Sequence, residues 1–236
     1  MQLEFMKGFT VLVAYFIICA GTALALRRLF KVPSEVFRKT LHLILLGSVF
    51  VFVHAFQTWW LSALAAIAFI VFVLPVLALA ERLSCYSRIL VERKPGEIKR
   101  SMIAAFGMFA ILVTVCWGLL GQKYLVIASV SGWGFGDAAA ALVGKRFGKR
   151  FIEGSMVEGR KTLEGTVAMF VVSFVSILFV LLIYRPVKWF GYVPIAAMAA
   201  AVSAIVELFT KDGMDTLTCP LATAAVLIPL VYLWGV

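Results

Sequence analysis

The sequence contains eight continuous apolar runs, each about 20 residues long, separated by shorter polar segments. An α-helix needs about 20 apolar residues to cross the hydrocarbon core of a bilayer, whereas a membrane β-strand alternates apolar and polar residues. Because the runs do not alternate, they predict an all-α, polytopic membrane protein with one integral domain, 1–236. The predicted transmembrane helices lie at roughly 8–27, 40–57, 59–80, 101–120, 123–143, 164–184, 190–209 and 218–235.

The composition agrees with a membrane protein and excludes an ordinary soluble domain. Hydrophobic residues make up 63% of the chain and charged residues 14%, whereas about a quarter of the residues in soluble domains are charged. The four cysteines are scattered, without Cys-x-x-Cys or Cys/His spacing, so neither zinc nor a disulfide framework is predicted. No small-residue cleavage site follows the first run, which indicates a retained helix rather than a signal peptide.

Basic residues alternate between the loops. Of the 22 lysines and arginines, all but Lys7, Lys123, Arg185 and Lys188 fall in or beside the loops after the first, third, fifth and seventh runs. The positive-inside rule therefore places these loops in the cytoplasm and both termini outside. If the source is prokaryotic, the membrane is the cell membrane. The net charge of +10 belongs to these short loops, so no nucleic-acid partner is predicted.

Small residues recur at every fourth position along the fifth run and the segment after it. On a helix this spacing forms one stripe, which lets a neighbouring backbone approach closely. Such a stripe suits an interface between two copies of the chain as well as one within it, so the sequence is compatible with a homo-oligomer. The members of the stripe are Gly132, Gly136, Ala140, Gly144 and Gly148.

Asp137 lies beside this stripe, within an apolar run. A carboxylate at membrane depth costs several kcal/mol, so it indicates function; an interhelical hydrogen bond that only stabilises the bundle is the alternative. Glu207 lies near the cytoplasmic end of the seventh run, and Asp215 follows it. Carboxylates that face a cationic rim favour a site for a divalent metal and phosphate groups. For Glu207, a carboxylate on the surface is the alternative.

A basic, glycine-rich segment follows the fifth run, at 144–166. It offers backbone N–H groups and cations such as Lys145 and Arg146 to a polyphosphate, although it is not a Walker A sequence. Thr162 is a suitable N-cap for the next helix, and Lys161 lies beside a helix N-terminus that attracts anions. The segment predicts nucleotide binding, with a capped helix and topology-setting charge as the alternative.

Three polar side chains stand at the start of the second run. Arg38 and His42 share a helix face, and Lys39 lies between them in sequence. They are candidates for the same site; the alternative is two headgroup anchors and a packed interfacial histidine. The mixed-charge loop after the third run is expected to be solvated, and its carboxylates are Glu81, Glu92 and Glu97.

Four segments, taken together, resemble the motifs of a known family. Residues 38–42 resemble RK-x-x-H, and 136–148 resemble GD-[ST]-x-A-x-x-x-G-x-x-x-G. Residues 160–166 resemble KKT-x-EGT, and 207–221 resemble E-x-[YF]-T…DN-x-x-x-PL, except that Thr216 replaces the Asn. The family is that of the CTP-dependent polyisoprenoid-alcohol kinases, which includes dolichol, phytol and farnesol kinases and a CTP-type diacylglycerol kinase. It is related to the CDP-diacylglycerol synthases.

The resemblance implies transfer of the γ-phosphoryl group of CTP to the hydroxyl of a membrane lipid alcohol. The acceptor is a polyprenol, a dolichol or a similar isoprenoid alcohol, or diacylglycerol. It implies that Asp137 binds Mg²⁺ with Glu207 or Asp215, and that His42 or a carboxylate accepts the hydroxyl proton. The catalytic residues are then Asp137, His42 and Glu207. The nucleotide- and phosphate-binding residues are Arg38, Lys39, Gly144, Lys145, Arg146, Gly148, Arg160, Lys161, Thr162, Glu164 and Gly165.

Two other functions stay open at this point. The KT-x-EG part of 161–165 also occurs in CDP-diacylglycerol synthases, so a phosphatidate cytidylyltransferase is the enzymatic alternative. The non-enzymatic alternative is an anion transporter. A conduit needs polar residues throughout the membrane depth, whereas this chain gathers them at one face, which favours chemistry at the membrane surface.

Overall fold

The computed structural model describes residues 1–30, 32–82, 96–154, 157, 161–211 and 213–235. Over these ranges the regular structure is helical, apart from two isolated antiparallel bridges, and eight helices are long and apolar enough to cross a membrane. The prediction of an all-α, polytopic protein with eight spans is therefore confirmed. The helices are α1 (Gln2–Leu29), α2 (Ser34–His54), α3 (Trp59–Ala80), α4 (Glu97–Leu112), α5 (Lys123–Phe147), α6 (Leu163–Tyr184), α7 (Tyr192–Phe209) and α8 (Asp215–Trp234).

Several helices extend beyond the apolar runs that predicted them, and α2 and α5 do so at basic ends. Helix α2 begins at Ser34, directly after Pro33, so it includes Arg38 and Lys39. Helix α5 continues past the expected end at 143 to Phe147 and includes Lys145. The physical reason is that long basic side chains can reach the headgroup region while the backbone remains helical. Hydropathy therefore marks the apolar middle of such a helix and not its ends.

The chain divides into two compact units, Met1–Thr114 and Val115–Val236, and the division falls in a π-helical segment, Val113–Leu119, that continues α4. In the first unit α1 packs on α2 and α3, and α3 packs on α4. Stacked and tilted phenylalanine rings fill its core; the Phe69 and Phe106 centroids are 4.6 Å apart. The single domain predicted from the sequence stays a prediction.

The start of α3 is fixed by a carboxylate from α1. Glu4 accepts hydrogen bonds from the backbone N–H groups of Gln57 and Thr58 at 3.0 and 2.9 Å. The first N–H groups of a helix have no partner within the helix, and a carboxylate satisfies them well. Helix α3 begins one residue later, at Trp59.

The second unit is built around α5, which packs against α6, α7 and α8 and is the most buried of the eight spans. The predicted stripe of small residues faces α6. A Cβ on Gly136 would lie 2.2 Å from Ser173 Oγ, and that hydroxyl donates a 2.7 Å hydrogen bond to the carbonyl of Gly132. The close backbone approach expected from the stripe is thus confirmed, with its partner inside the chain.

Candidate active site

Four helix ends meet at one end of the second unit: the end of α5, the start of α6, the end of α7 and the start of α8. A Cβ on Gly165 would lie 3.0 Å from the carbonyl of Ala140, so the α5 and α6 backbones are nearly in contact. The hydroxyls of Thr210 and Thr218 are 3.0 Å apart and join α7 to α8. We call this region the cationic end, because the basic segment 144–162, which starts in the last turn of α5 and continues as a loop, leaves from it.

The base of the basic loop is closed by its own backbone. The N–H of Ile152 donates to the carbonyl of Lys161, and the N–H of Leu163 donates to the carbonyl of Arg150, both at 2.9 Å. The Glu164 carboxylate accepts from the N–H of Arg150 at 3.4 Å and so ties the start of α6 to the loop. The two ends of the loop are therefore held side by side. Arg160, predicted to bind phosphate, lies outside the described residues.

Thr162 is the residue around which the glycines of this loop pack. It is buried, and its hydroxyl accepts a 3.2 Å hydrogen bond from the N–H of Gly165, which confirms the predicted N-cap of α6. A Cβ on Gly148 would lie 2.6 Å from the Thr162 methyl, and one on Gly144 would lie 3.0 Å from its hydroxyl. In this structure the glycines leave room for Thr162. Their contact with phosphate stays a prediction.

The exposed cations lie in the last turn of α5 and in the residues that directly follow it. The sequence 144–151 repeats GKRF twice, and its lysines, arginines and phenylalanines are exposed. Phe147 is 59% exposed and Phe151 is 53% exposed. We expect these rings at the membrane surface, because aromatic side chains favour the headgroup region. Lys145 and Arg146 can then reach phosphate groups from the same surface.

The three predicted carboxylates all lie near Cys219, close to the start of α8. Asp137 is 7% exposed and lies within α5, ten residues before the end of that helix at Phe147. Asp137, Glu207 and Asp215 all interact electrostatically with the buried thiol of Cys219, near the start of α8. Over the described ranges no group of three or more His, Cys, Asp and Glu side chains is arranged to hold a metal by itself. Mg²⁺ commonly takes one or two carboxylates together with substrate phosphates and water, and the carboxylates present suit that pattern.

Lys161 and Glu207, predicted as separate ligands of phosphate and metal, form an ion pair. Lys161 Nζ lies 3.0 Å from Glu207 Oε1, and the two side chains are 20% and 14% exposed. The same ammonium group donates to the backbone carbonyls of Glu207 and Thr210. Sequence reasoning did not find this pair, because its members are 46 residues apart.

Arg38, Lys39 and His42 belong to the first unit. Arg38 forms ion pairs with Glu35 at 2.6 Å and with Glu97 at 3.1 Å, which ties α2 to the first turn of α4. Lys39 is buried, and His42 is half-buried one turn further along α2. Their predicted roles in catalysis and phosphate binding stay predictions.

The expectation of a solvated face for the acidic residues after α3 is confirmed for Glu81, which is exposed, and is wrong for Glu97, which is half-buried. Glu97 binds Arg38, and Glu81 binds Lys99 at 2.5 Å. The Glu97 side chain is 27% exposed. The physical reason is that α4 begins at Glu97, so helix geometry rather than a loop orients this side chain. Glu92 lies outside the described residues.

The fold and the cationic end define a multi-pass α-helical membrane protein with an acidic and basic site at one end of a helical unit. A curated phytol kinase from Synechocystis sp. is 30% identical in an alignment of 230 residues, which covers 90% of this chain and 87% of the relative. The chain therefore belongs to the family of polyprenol and phytol kinases. No family model and no solved structure matches it.

Proposed function

We propose that the protein is a kinase that transfers the γ-phosphoryl group of CTP to the hydroxyl of a membrane lipid alcohol at the cytoplasmic face. Phytol is the first acceptor to test, because the Synechocystis relative is named as a phytol kinase. Polyprenol, dolichol and diacylglycerol are tested next. The observation that carries the proposal is that, in a chain of this family, Asp137, Glu207 and Asp215 all lie near Cys219 at the end of the unit that bears the exposed cations.

The location of the cationic end suits a reaction between a water-soluble nucleotide and a membrane-dissolved alcohol. The nucleotide approaches from water, and the hydroxyl of the lipid lies at the headgroup plane. Lys145 and Arg146, both exposed, would hold the phosphates and neutralise charge that develops on them. Helix α5 carries these cations and Asp137 alike and would fix them relative to each other. Such fixed positions matter because phosphoryl transfer depends mainly on positioning and electrostatic stabilisation.

The acidic residues would hold the metal that a nucleotide brings. Asp137 and Asp215 are the proposed Mg²⁺ ligands, because both lie close to Cys219 at the cationic end. Bound Mg²⁺ supplies charge neutralisation on the phosphates. The proton of the attacking hydroxyl would pass to one of the carboxylates.

The enzymatic alternative is a cytidylyltransferase, in which a lipid phosphate attacks the α-phosphorus and pyrophosphate leaves. The same carboxylates and cations would serve that displacement. The relative named as a phytol kinase supports the kinase over this alternative, because the alignment covers most of both chains.

We expect phosphoryl transfer in sealed inside-out membrane vesicles that contain the protein and phytol when CTP labelled at the γ position is added outside. The label should enter a lipid monophosphate, because the basic loops then face the added nucleotide and charged nucleotides do not cross a bilayer. Right-side-out vesicles should stay unlabelled until detergent opens them. Labelled ATP should support less transfer than CTP, and vesicles from cells without the protein give the background.

A different result of this experiment would contradict each part of the proposal: the membrane face, the nucleotide donor and the kinase activity. Transfer confined to intact right-side-out vesicles would move the site to the outer face. Equal or faster transfer from ATP would remove CTP as the preferred donor. No label in lipid after detergent treatment, with phytol and the other three alcohols supplied in turn, would contradict the kinase itself.

A further inference from the structure

All three N–H donors of the Lys161 ammonium group have acceptors within the protein. A lysine ammonium has three N–H donors. The structure provides three acceptors: the carboxylate of Glu207, the backbone carbonyl of Glu207, and the carbonyl of Thr210 at 3.4 Å. The carbonyls at the end of a helix lack partners within the helix, and a cation there also complements the helix dipole. Lys161 therefore closes the end of α7 and leaves no donor for a phosphate.

The contact between Lys161 and the end of α7 lies where α6, α7 and α8 meet. Lys161 directly precedes Thr162, the N-cap of α6, and Glu207 and Thr210 lie at the end of α7. The Thr210 hydroxyl in turn contacts the Thr218 hydroxyl of α8 at 3.0 Å. Helix α8 begins at Asp215, one of the proposed metal ligands. A change at Lys161 would consequently alter how this carboxylate is held.

We infer that Lys161 and Glu207 are a positioning pair, which fixes the ends of α6 and α7, and that neither of them is a ligand of phosphate or metal. The effect of the pair on turnover rests on the proposed function; its effect on stability does not. Both side chains are at most one-fifth exposed, so removal of one partner leaves a poorly solvated charge. Phosphate binding then falls to the exposed Lys145 and Arg146, and metal binding to Asp137 and Asp215.

The test compares Lys161→Met, Glu207→Gln and the double variant, with Lys188→Met as an exposed lysine control. We expect each single change at the pair to lower the midpoint of thermal unfolding in detergent. The unfolding midpoint of the double variant should be no lower than that of the less stable single variant, because both changes remove the same interaction. Lys161→Met should lower kcat about tenfold and leave the KM for CTP within about twofold. Lys161→Arg should restore most of kcat, since a guanidinium can pair with the carboxylate.

Separate ligand roles predict a different pattern. The losses of stability would then be small or additive, Lys161→Met would raise the KM for CTP about tenfold or more, and Glu207→Gln would raise the Mg²⁺ requirement. That pattern would overturn the inference. If Lys161→Met does not fold, the comparison rests on Lys161→Arg and Glu207→Gln, and a Lys161→Arg variant as unstable as Glu207→Gln would overturn it. An inactive wild-type protein would contradict the kinase alone, because the unfolding midpoints still test the pair.

Discussion

The substitution Asp137→Asn should lower phosphoryl transfer by about a thousandfold or more, because a bound metal supplies several kcal/mol of charge stabilisation in the transition state. Asn keeps the size of the side chain and removes its charge, so α5 should still pack against α6, α7 and α8. The measurement is the rate of label transfer from CTP to lipid by purified protein. Elution from a sizing column and the midpoint of thermal unfolding establish that the variant is folded.

The matched control for this prediction is Glu153→Gln, which removes one carboxylate charge from an exposed position of the basic loop. We expect its rate to stay within about threefold of the wild-type rate, since exposed charges separated by solvent interact weakly. A rate close to wild type for folded Asp137→Asn would contradict the metal role. Asp137 would then be a carboxylate that only stabilises the packing of α5.

The second large effect is expected at the interface between α5 and α6. Gly136→Ala places a Cβ 2.2 Å from Ser173 Oγ and 3.2 Å from the carbonyl of Met169. The Ser173 hydroxyl must rotate and lose its hydrogen bond to Gly132, or the two helices must separate. Overpacking of this kind costs about 1–3 kcal/mol, and the lost hydrogen bond about 1 kcal/mol more. We therefore expect a fall of several degrees in the midpoint of thermal unfolding.

Gly107→Ala is the matched control, because it is the same change inside α4 at a position where the new Cβ meets no atom within 4 Å. Alanine has a higher helix propensity than glycine by up to about 1 kcal/mol, so this variant should be as stable as wild type or slightly more stable. Equal midpoints for Gly136→Ala and Gly107→Ala would contradict the close approach of α5 and α6.

The sequence predicted the number of helices and the small-residue stripe, because both depend on local periodicity. Apolar runs of the right length specify spans, and a residue repeat of four specifies one helix face. The ends of α2 and α5 were missed, since basic residues such as Arg38 and Lys145 extend a helix beyond its apolar part. The partner of the stripe, α6, was also not predictable, because the stripe would suit a second copy equally well.

Two ion pairs, one in each unit, could not be predicted from the sequence for a different reason. Arg38 and Glu97 are 59 residues apart, and Lys161 and Glu207 are 46 apart. No local pattern links residues at such a separation; only the packing of the helices brings them together. The charge of Lys161 beside a helix N-terminus favoured phosphate binding, whereas in the folded chain the end of α7 provides its acceptors.

The most direct measurement supplies purified protein with Mg²⁺, phytol, a lipid extract and CTP labelled at either the γ or the α position. A kinase moves only the terminal phosphoryl group and leaves CDP. We therefore expect γ-label in a lipid monophosphate, CDP in equal amount, and no α-label in lipid. Label from the α position in lipid, with release of pyrophosphate, would contradict the lipid-alcohol kinase and identify a cytidylyltransferase in its place.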